Sequence, residues 1–381
     1  MKKILYILAT STLILVSALL ITIKFIYGGG EAFPDRSASP TFNAQHLEVV
    51  AELPMPPGNL ALTPKGRLFF TFHPEAKPKV NVVELVGNTP QPFPSLDWQP
   101  GGEQELAFQE ILSMRVDRQN RLWLLDNAVH GLGQPRLLAF DIDSKKLVHH
   151  FDFPADIFGL GSHANDFQVD VSGRYIYLAD ASLLARTPAI VVYDTHTQSA
   201  RRVLESHVSV MPEYFIPVVD GHPMEIFGVF TVNPGVDSIA LSRDGAQLFY
   251  AAVTAQKMYK VDTASLINTD LSAQELAGKV TILGEKTMSD GISSDNAGNV
   301  YISDFEHNAI LRMDPQGKLE TLIKDKRIHW PDGFSFGPND WLYFTDSALN
   351  HVIGKTPQYI LDHAPYHIFR FKPGTSAYPG H

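Results

Sequence analysis

Two hydrophobic patterns divide this chain. The first is a nearly continuous apolar run from Ile4 to Ile23, relieved only by Thr10, Ser11, Thr12, Ser17 and Thr22. About twenty such residues cross a bilayer as a helix, whereas the apolar part of a secretory signal is about 7–15 residues long. Lys2 and Lys3 precede the run, which favours an N-terminus left inside and a chain carried outside. No small-x-small cleavage site follows, only Lys24, Phe25, Ile26, Tyr27 and three glycines. Residues 1–27 therefore read as an uncleaved signal-anchor in preference to a cleaved signal peptide. The expected location is extracytoplasmic, periplasmic or secreted, with residues 4–23 as the inner-membrane anchor. Residues 28–42, rich in Gly, Pro, Ser and charge, read as a linker.

The second pattern is a short alternation that repeats. Its clearest copy runs from Ser289 to Asp325: a short strand, an Asn-Ala-Gly turn, a second strand, a third after His307 and Asn308, a Pro-Gln-Gly turn and a fourth. Alternating apolar positions punctuated by Gly, Asn and Asp mark antiparallel hairpins. Relatives of this unit begin at Gly58, Leu112, Asn165, Asp237 and Asp332, with successive starts 42 to 72 residues apart. A four-stranded propeller blade needs about 40–50 residues. The longest gap holds an insertion from Val208 to Asn233, rich in Pro, aromatics and His. The last copy has a third strand at His367–Lys372 and no fourth, and Gln45–Leu53 offers a strand to supply it. Such a seam removes open edges. The predicted fold is a six-bladed all-β propeller over residues 43–381, closed by an N-terminal strand, and expected to be a monomer.

Composition narrows the chemistry. Charged residues are 19% of the chain, and the formal net charge is −10. An acidic surface excludes a nucleic-acid partner, which needs concentrated Lys and Arg. It suits a cationic ligand or a metal ion. The chain has no cysteine, so disulfides, zinc-thiolate sites, thiol catalysis and a cysteine-linked lipid are excluded.

Several segments resemble the major royal jelly/yellow protein family. They are RLWLLDNA (Arg121–Ala128), HANDFQVD (His163–Asp170), AIVVYD (Ala189–Asp194), the long run Gly235–Leu266, and WPDGFSFGPNDWLYFTDSAL (Trp330–Leu349). The same chain is similar, more weakly, to the gluconolactonase/regucalcin lactonases, through Ser-Asp-Gly-Ile at Ser289–Ile292. Both resemblances imply a six-bladed propeller.

Aligning the repeats sets Asn165, Asp237, Asp290 and Asp332 at one position in four successive blades. In a propeller the first strand of each blade lines the central channel, so four oxygen-bearing side chains are expected at one mouth. Hard cations such as Ca2+ want such oxygens, and adjacent carboxylates without a cation repel. The competing reading is turn capping repeated from blade to blade. Resemblance to the lactonases implies a divalent metal, Ca2+ or another, on Asn165, Asp237 and Asp290, with Asp290 as ligand or general base. The glutamate that those enzymes add from an early blade corresponds to Leu112, with Glu110 two residues earlier. Trp330 precedes the channel position and is expected to wall a pocket. His163, His222, His307, His329 and His351 read as solvated loop residues. Two functions follow as expectations: a yellow-type propeller binding a small ligand, with Asn165, Asp237, Asp332 and Trp330 as contacts, or a metal-dependent lactone hydrolase.

Overall fold

Each repeat folds into its own sheet because four short strands joined by tight polar turns can pair only with their neighbours. The computed structural model describes residues 2–380; Met1 and His381, the outer ends of the segments 1–27 and 43–381, lie outside the described residues. Six four-stranded antiparallel sheets make the six blades. Their first strands are Pro57–Leu62, Ile111–Val116, Ala164–Val169, Val236–Leu241, Ile292–Ser294 and Pro331–Phe336. These strands are almost wholly buried around the channel.

Two recurrent polar devices fix the blades. At the turn after the first strand, Asp117, Asp170 and Asp295 accept backbone N–H groups two to five residues on. At the end of the second strand, Asp126, Asp180 and Asp346 accept N–H groups from the segment leading to their own blade's first strand. All three are essentially inaccessible. Buried carboxylates so placed hold the loops around the mouth through charge-assisted bonds.

The ring closes at blade six. Glu48–Leu53 pairs antiparallel with Tyr366–Phe371, from Glu48 opposite Arg370 to Leu53 opposite Tyr366. The side chains of Glu48 and Arg370 meet at 2.8 Å. Gly291 and Gly333 allow adjacent inner strands to touch: an added Cβ would lie 1.5 Å from Asp332 O and 2.7 Å from Asn59 Cα, respectively.

The segment read as a linker lies against the propeller. Glu31 bridges Phe215, Phe33 is buried, Arg36 pairs with Glu285 at 2.9 Å, and Thr41 and Phe42 bond to Thr321 and Leu322. The insertion between blades three and four forms two small hairpins, Val218–Val219 with His222–Pro223 and Glu225–Ile226 with Phe230–Thr231. Before all this stands one helix, α1 (Lys2–Tyr27), whose stretch Leu8–Tyr27 has a mean hydropathy of 2.0 and is not buried.

Candidate functional site at the channel mouth

The inner strands begin irregularly, and that irregularity builds the site. Register shifts fall between Pro57 and Leu60, Ile111 and Ser113, Ala164 and Phe167, Val236 and Ser238, and Pro331 and Phe334. A bulge leaves its extra residue unpaired and re-aims the side chain. The residues so released are Asn59, Leu112, Asn165, Asp166, Asp237 and Asp332. All of them, with Asp290 and Trp330, line one cavity of about 550 Å³. The structure thus brings the four aligned oxygen-bearing residues to a single mouth.

Their bonds cross between blades. Asn165 Nδ2 donates to Asp237 Oδ1. Asp237 and Asp290 lie close enough for each carboxyl to shift the titration of the other. Trp330 Nε1 donates to Asp290 Oδ2 at 2.6 Å. Asp332 Oδ2 faces His73 Nε2 at 4.0 Å. Burial first, and then the charges of Asp290 and Asp332, push Asp237 well above the usual carboxylate range. Burial and Asp290 do the same to Asp332. Burial raises Asp290 to about 6, although the Trp330 bond pulls it down. Two unit charges 4 Å apart interact by about 4 kcal/mol at an effective dielectric near 20, so ionising one of these acids opposes ionising the next.

Turn capping does not occupy them. Among the described residues none of the carboxylates of Asp237, Asp290 and Asp332 accepts a backbone N–H; the aspartates at the turns and strand ends take that role.

Beneath them lies a group that the repeat alignment passed over. Arg115 donates to Asp166 Oδ2 and Asn59 Oδ1, both at 2.6 Å, and Ser113 Oγ donates to Asp166 Oδ1. Burial raises Asp166, and Arg115 opposes the rise. A second polar wall comes from blades one to three. His130 Nε2 lies 3.5 Å from Glu75 Oε1, the rings of His130 and His163 are 4.5 Å apart, and Asn127 Nδ2 donates to Glu110 Oε2 at 3.0 Å. Bonding to His130 lowers Glu75 to about 2, whereas burial lowers His163 to about 3 and His73 to about 4. Three buried polar atoms of this wall, Asn127 Oδ1, His130 Nδ1 and His163 Nδ1, have no hydrogen-bond partner among the described residues. Buried polar groups are normally paired, so the wall is suited to a polar ligand.

Of the histidines expected to be solvated, His222 is exposed, whereas three others line the cavity or pair with aspartates. His163 lines the cavity, His307 sits between Asp304 (2.9 Å) and Asp35 (3.4 Å), and His329 meets Asp346 at 2.8 Å. The visible signal for these partners is the Asp that closes the second strand in four of the six blades, Asp126, Asp180, Asp304 and Asp346.

An oxygen-rich donor set of Asn165, Asp237 and Asp290 fits a hard cation. Leu112 is an apolar lining residue, and Glu110 lines the cavity while bonded to Asn127. The described residues that bring three ligating atoms within 4.8 Å are instead Asp35, Asp304 and His307. There both ring nitrogens of His307 face carboxylates, which makes an ion-pair bridge.

Fold and mouth together define a six-bladed propeller with an acidic, partly apolar channel pocket. The family model for major royal jelly protein matches residues 111–344, and the chain belongs to that family. Among curated relatives, major royal jelly protein 8 of Apis mellifera is 23% identical over 62% of this chain and 58% of its own length. Major royal jelly protein 3 of the same species is 26% identical over 69% of this chain and 52% of its own. The chain thus spans about half the length of these relatives. Solved structures similar in fold include a luciferin-regenerating enzyme, with TM-score 0.55, 13% identity and coverage of 88% of this chain and 97% of that one. The calcium-binding protein regucalcin from Agrobacterium tumefaciens gives TM-score 0.53 and 13% identity over 90% and 99%. A gluconolactonase from Xanthomonas campestris gives TM-score 0.52 and 12% identity over 86% and 88%.

Proposed function

We propose that this chain is an extracytoplasmic binding propeller, anchored by α1, that holds a small cationic ligand at the mouth acids. The observation that carries the reading is the set Asp237, Asp290 and Asp332, which line one cavity, are raised by burial and by one another's charge, and are free of backbone capping. A bound cation would offset the charge that burial and proximity make costly for these acids. The cavity is far larger than a bare ion, and the unpaired atoms of Asn127, His130 and His163 supply contacts for the rest of a small organic molecule. A divalent cation on Asn165, Asp237 and Asp290 serves the same electrostatic need. Regucalcin, described as calcium-binding, shares only the fold.

Lactone hydrolysis is the second reading. It is favoured by Asp290, a cavity carboxylate raised to about 6 and oriented by Trp330, where a general base would be poised. A metal bound by its neighbours would polarise the lactone carbonyl. Leu112, where those hydrolases have a glutamate, weighs against it.

The test is metal analysis of the purified protein with a melting screen against Ca2+ and small amines. Preferential binding to the folded state gives about 2.7 kcal/mol at a hundredfold excess over Kd. Asp290→Ala should abolish the shift, and Asp270→Ala, an exposed acid between the outer strands of blade four, should preserve it. No bound metal and no shift with either class of cation would refute the reading.

A further inference from the structure

The outer rim of the mouth carries apolar residues, and α1 ends on it. Leu20 and Ile23 of α1 line the same cavity as Asp237 and Asp290. The helix is fastened there by three contacts. Lys24 Nζ donates to Gly228 O at 3.0 Å, Tyr27 OH donates to Leu184 O at 2.9 Å, and the Tyr27 ring stacks on Phe230 at 5.1 Å. Around this junction large apolar side chains stand in the open. Phe227 is 90% exposed, Leu160 75% and Leu132 73%, with Val129 and Leu184 also exposed. All five come from loops that precede a first strand or follow a second strand, the loops that gather at this face of a propeller. Contiguous exposed apolar groups mark an interaction surface.

The length of α1 says what covers it. Its apolar stretch runs to Tyr27, yet residues from Leu20 onward already touch the mouth. At 1.5 Å per residue the last seven residues span about 10 Å. A helix crossing a bilayer along Leu8–Tyr27 therefore carries the insertion hairpin to the depth at which interfacial groups bury, about 5–10 Å into the headgroup boundary. Phe227, at the tip of that hairpin, is the most exposed of these side chains and would enter that layer first.

Resting on the binding reading given above, we infer that the mouth opens onto the bilayer and takes up an amphiphile from the lipid phase. Its positively charged head reaches Asp237 and Asp290, and its apolar tail lies against Leu20, Ile23, Ile226 and Phe230. Carboxylates at the floor and hydrocarbon at the rim are the two ends of one ligand. An amphiphile held in the membrane has no need to cross water to reach the site.

The chain has no cysteine, so single labels are clean. Phe227→Cys and, on the opposite face, Val86→Cys would be made in the full chain, tagged with an environment-sensitive fluorophore and embedded in phosphatidylcholine vesicles. Lipid-borne nitroxide should quench the label at 227 and leave the label at 86 unaffected; equal quenching at both positions, or none at 227, overturns the membrane seat. In phosphatidylcholine nanodiscs, dodecylamine and butylamine would then be titrated by calorimetry, with Asp290→Asn as the background. Dodecylamine should bind at least about tenfold more tightly, since each buried methylene adds to affinity. Equal affinity for the two amines overturns the amphiphile and leaves a polar cation site standing. Binding of neither, together with no calcium response, refutes the binding site itself.

Discussion

The indole of Trp330 does two things at once: Nε1 donates to Asp290 Oδ2 at 2.6 Å, and the ring lies flat on Phe305, 3.9 Å between centroids. Trp330 leads into blade six and Phe305 follows the second strand of blade five, so one buried side chain locks two blades and orients a mouth carboxylate. The stacking explains why an aromatic stands there, and the donor explains why it is tryptophan.

Trp330→Phe should keep most of the stacking and lose the donor. A bond to a charged acceptor is worth about 1.5–3 kcal/mol, and its loss leaves Asp290 more readily protonated. Denaturant melts of Trp330→Phe, Asp290→Asn and the double variant should show coupling of about 0.5–3 kcal/mol. Additive effects would mean that Trp330 only packs.

Arg115 is 1% exposed and is the guanidinium bonded to Asp166 beneath the acids. Removing one partner of a buried pair leaves the other uncompensated, at a cost of about 3–5 kcal/mol. Arg115→Met should therefore destabilise by that order in chemical denaturation. Adding Asp166→Asn should recover a large part of the loss, because the stranded charge is gone. A double variant as unstable as Arg115→Met alone would show that the arginine acts by volume.

The seam is testable in the same way. Leu53 is 2% exposed and sits on the strand that completes blade six. Leu53→Ala should cost about 2–5 kcal/mol, and deletion of Gln45–Leu53 should abolish the cooperative melt. A deletion variant with the native melting profile would disprove closure by this strand.

The repeat, the blade count and the seam were legible in the sequence because each rests on local period and turn chemistry, which recur at every copy. Four mouth residues were legible for the same reason: alignment of copies is alignment in space. What escaped was the remainder of what the bulges re-aim and much of what contacts between blades and buried turns set. Asp166 follows Asn165 and by strand alternation should face away, yet the register shift between Ala164 and Phe167 puts both in the cavity. Asp117 reads as a plain turn acid, yet it is 3% exposed and binds Arg121 Nε and Trp123 Nε1. Glu75, His130 and His163 come from three different blades, and no spacing in the chain links them.

That last group carries a pH prediction. Ala128, Val129 and His130 all have φ near +55°, a left-handed path that is costly for a β-branched residue and that delivers the His130 ring to Glu75. The bond to Glu75 raises His130 above its ordinary 6.5, and Glu75 in turn falls from 4.5 to about 2. Because its folded value is raised, His130 contributes stability that is fully present below 6.5 and is lost as pH climbs through the folded value. Glu75, whose value is depressed, contributes stability present above 4.5 and lost as pH falls toward 2. The pair thus stabilises most between these limits. Since Glu75 is 39% exposed, solvent screening holds the gain to about 1 kcal/mol or less. His130→Gln should lower the melting temperature more at about pH 5.5 than at about pH 8.5, because the contribution of the raised His130 declines as pH climbs. An equal loss at both values would show that the ring is held there by packing and that the ion pair does not form.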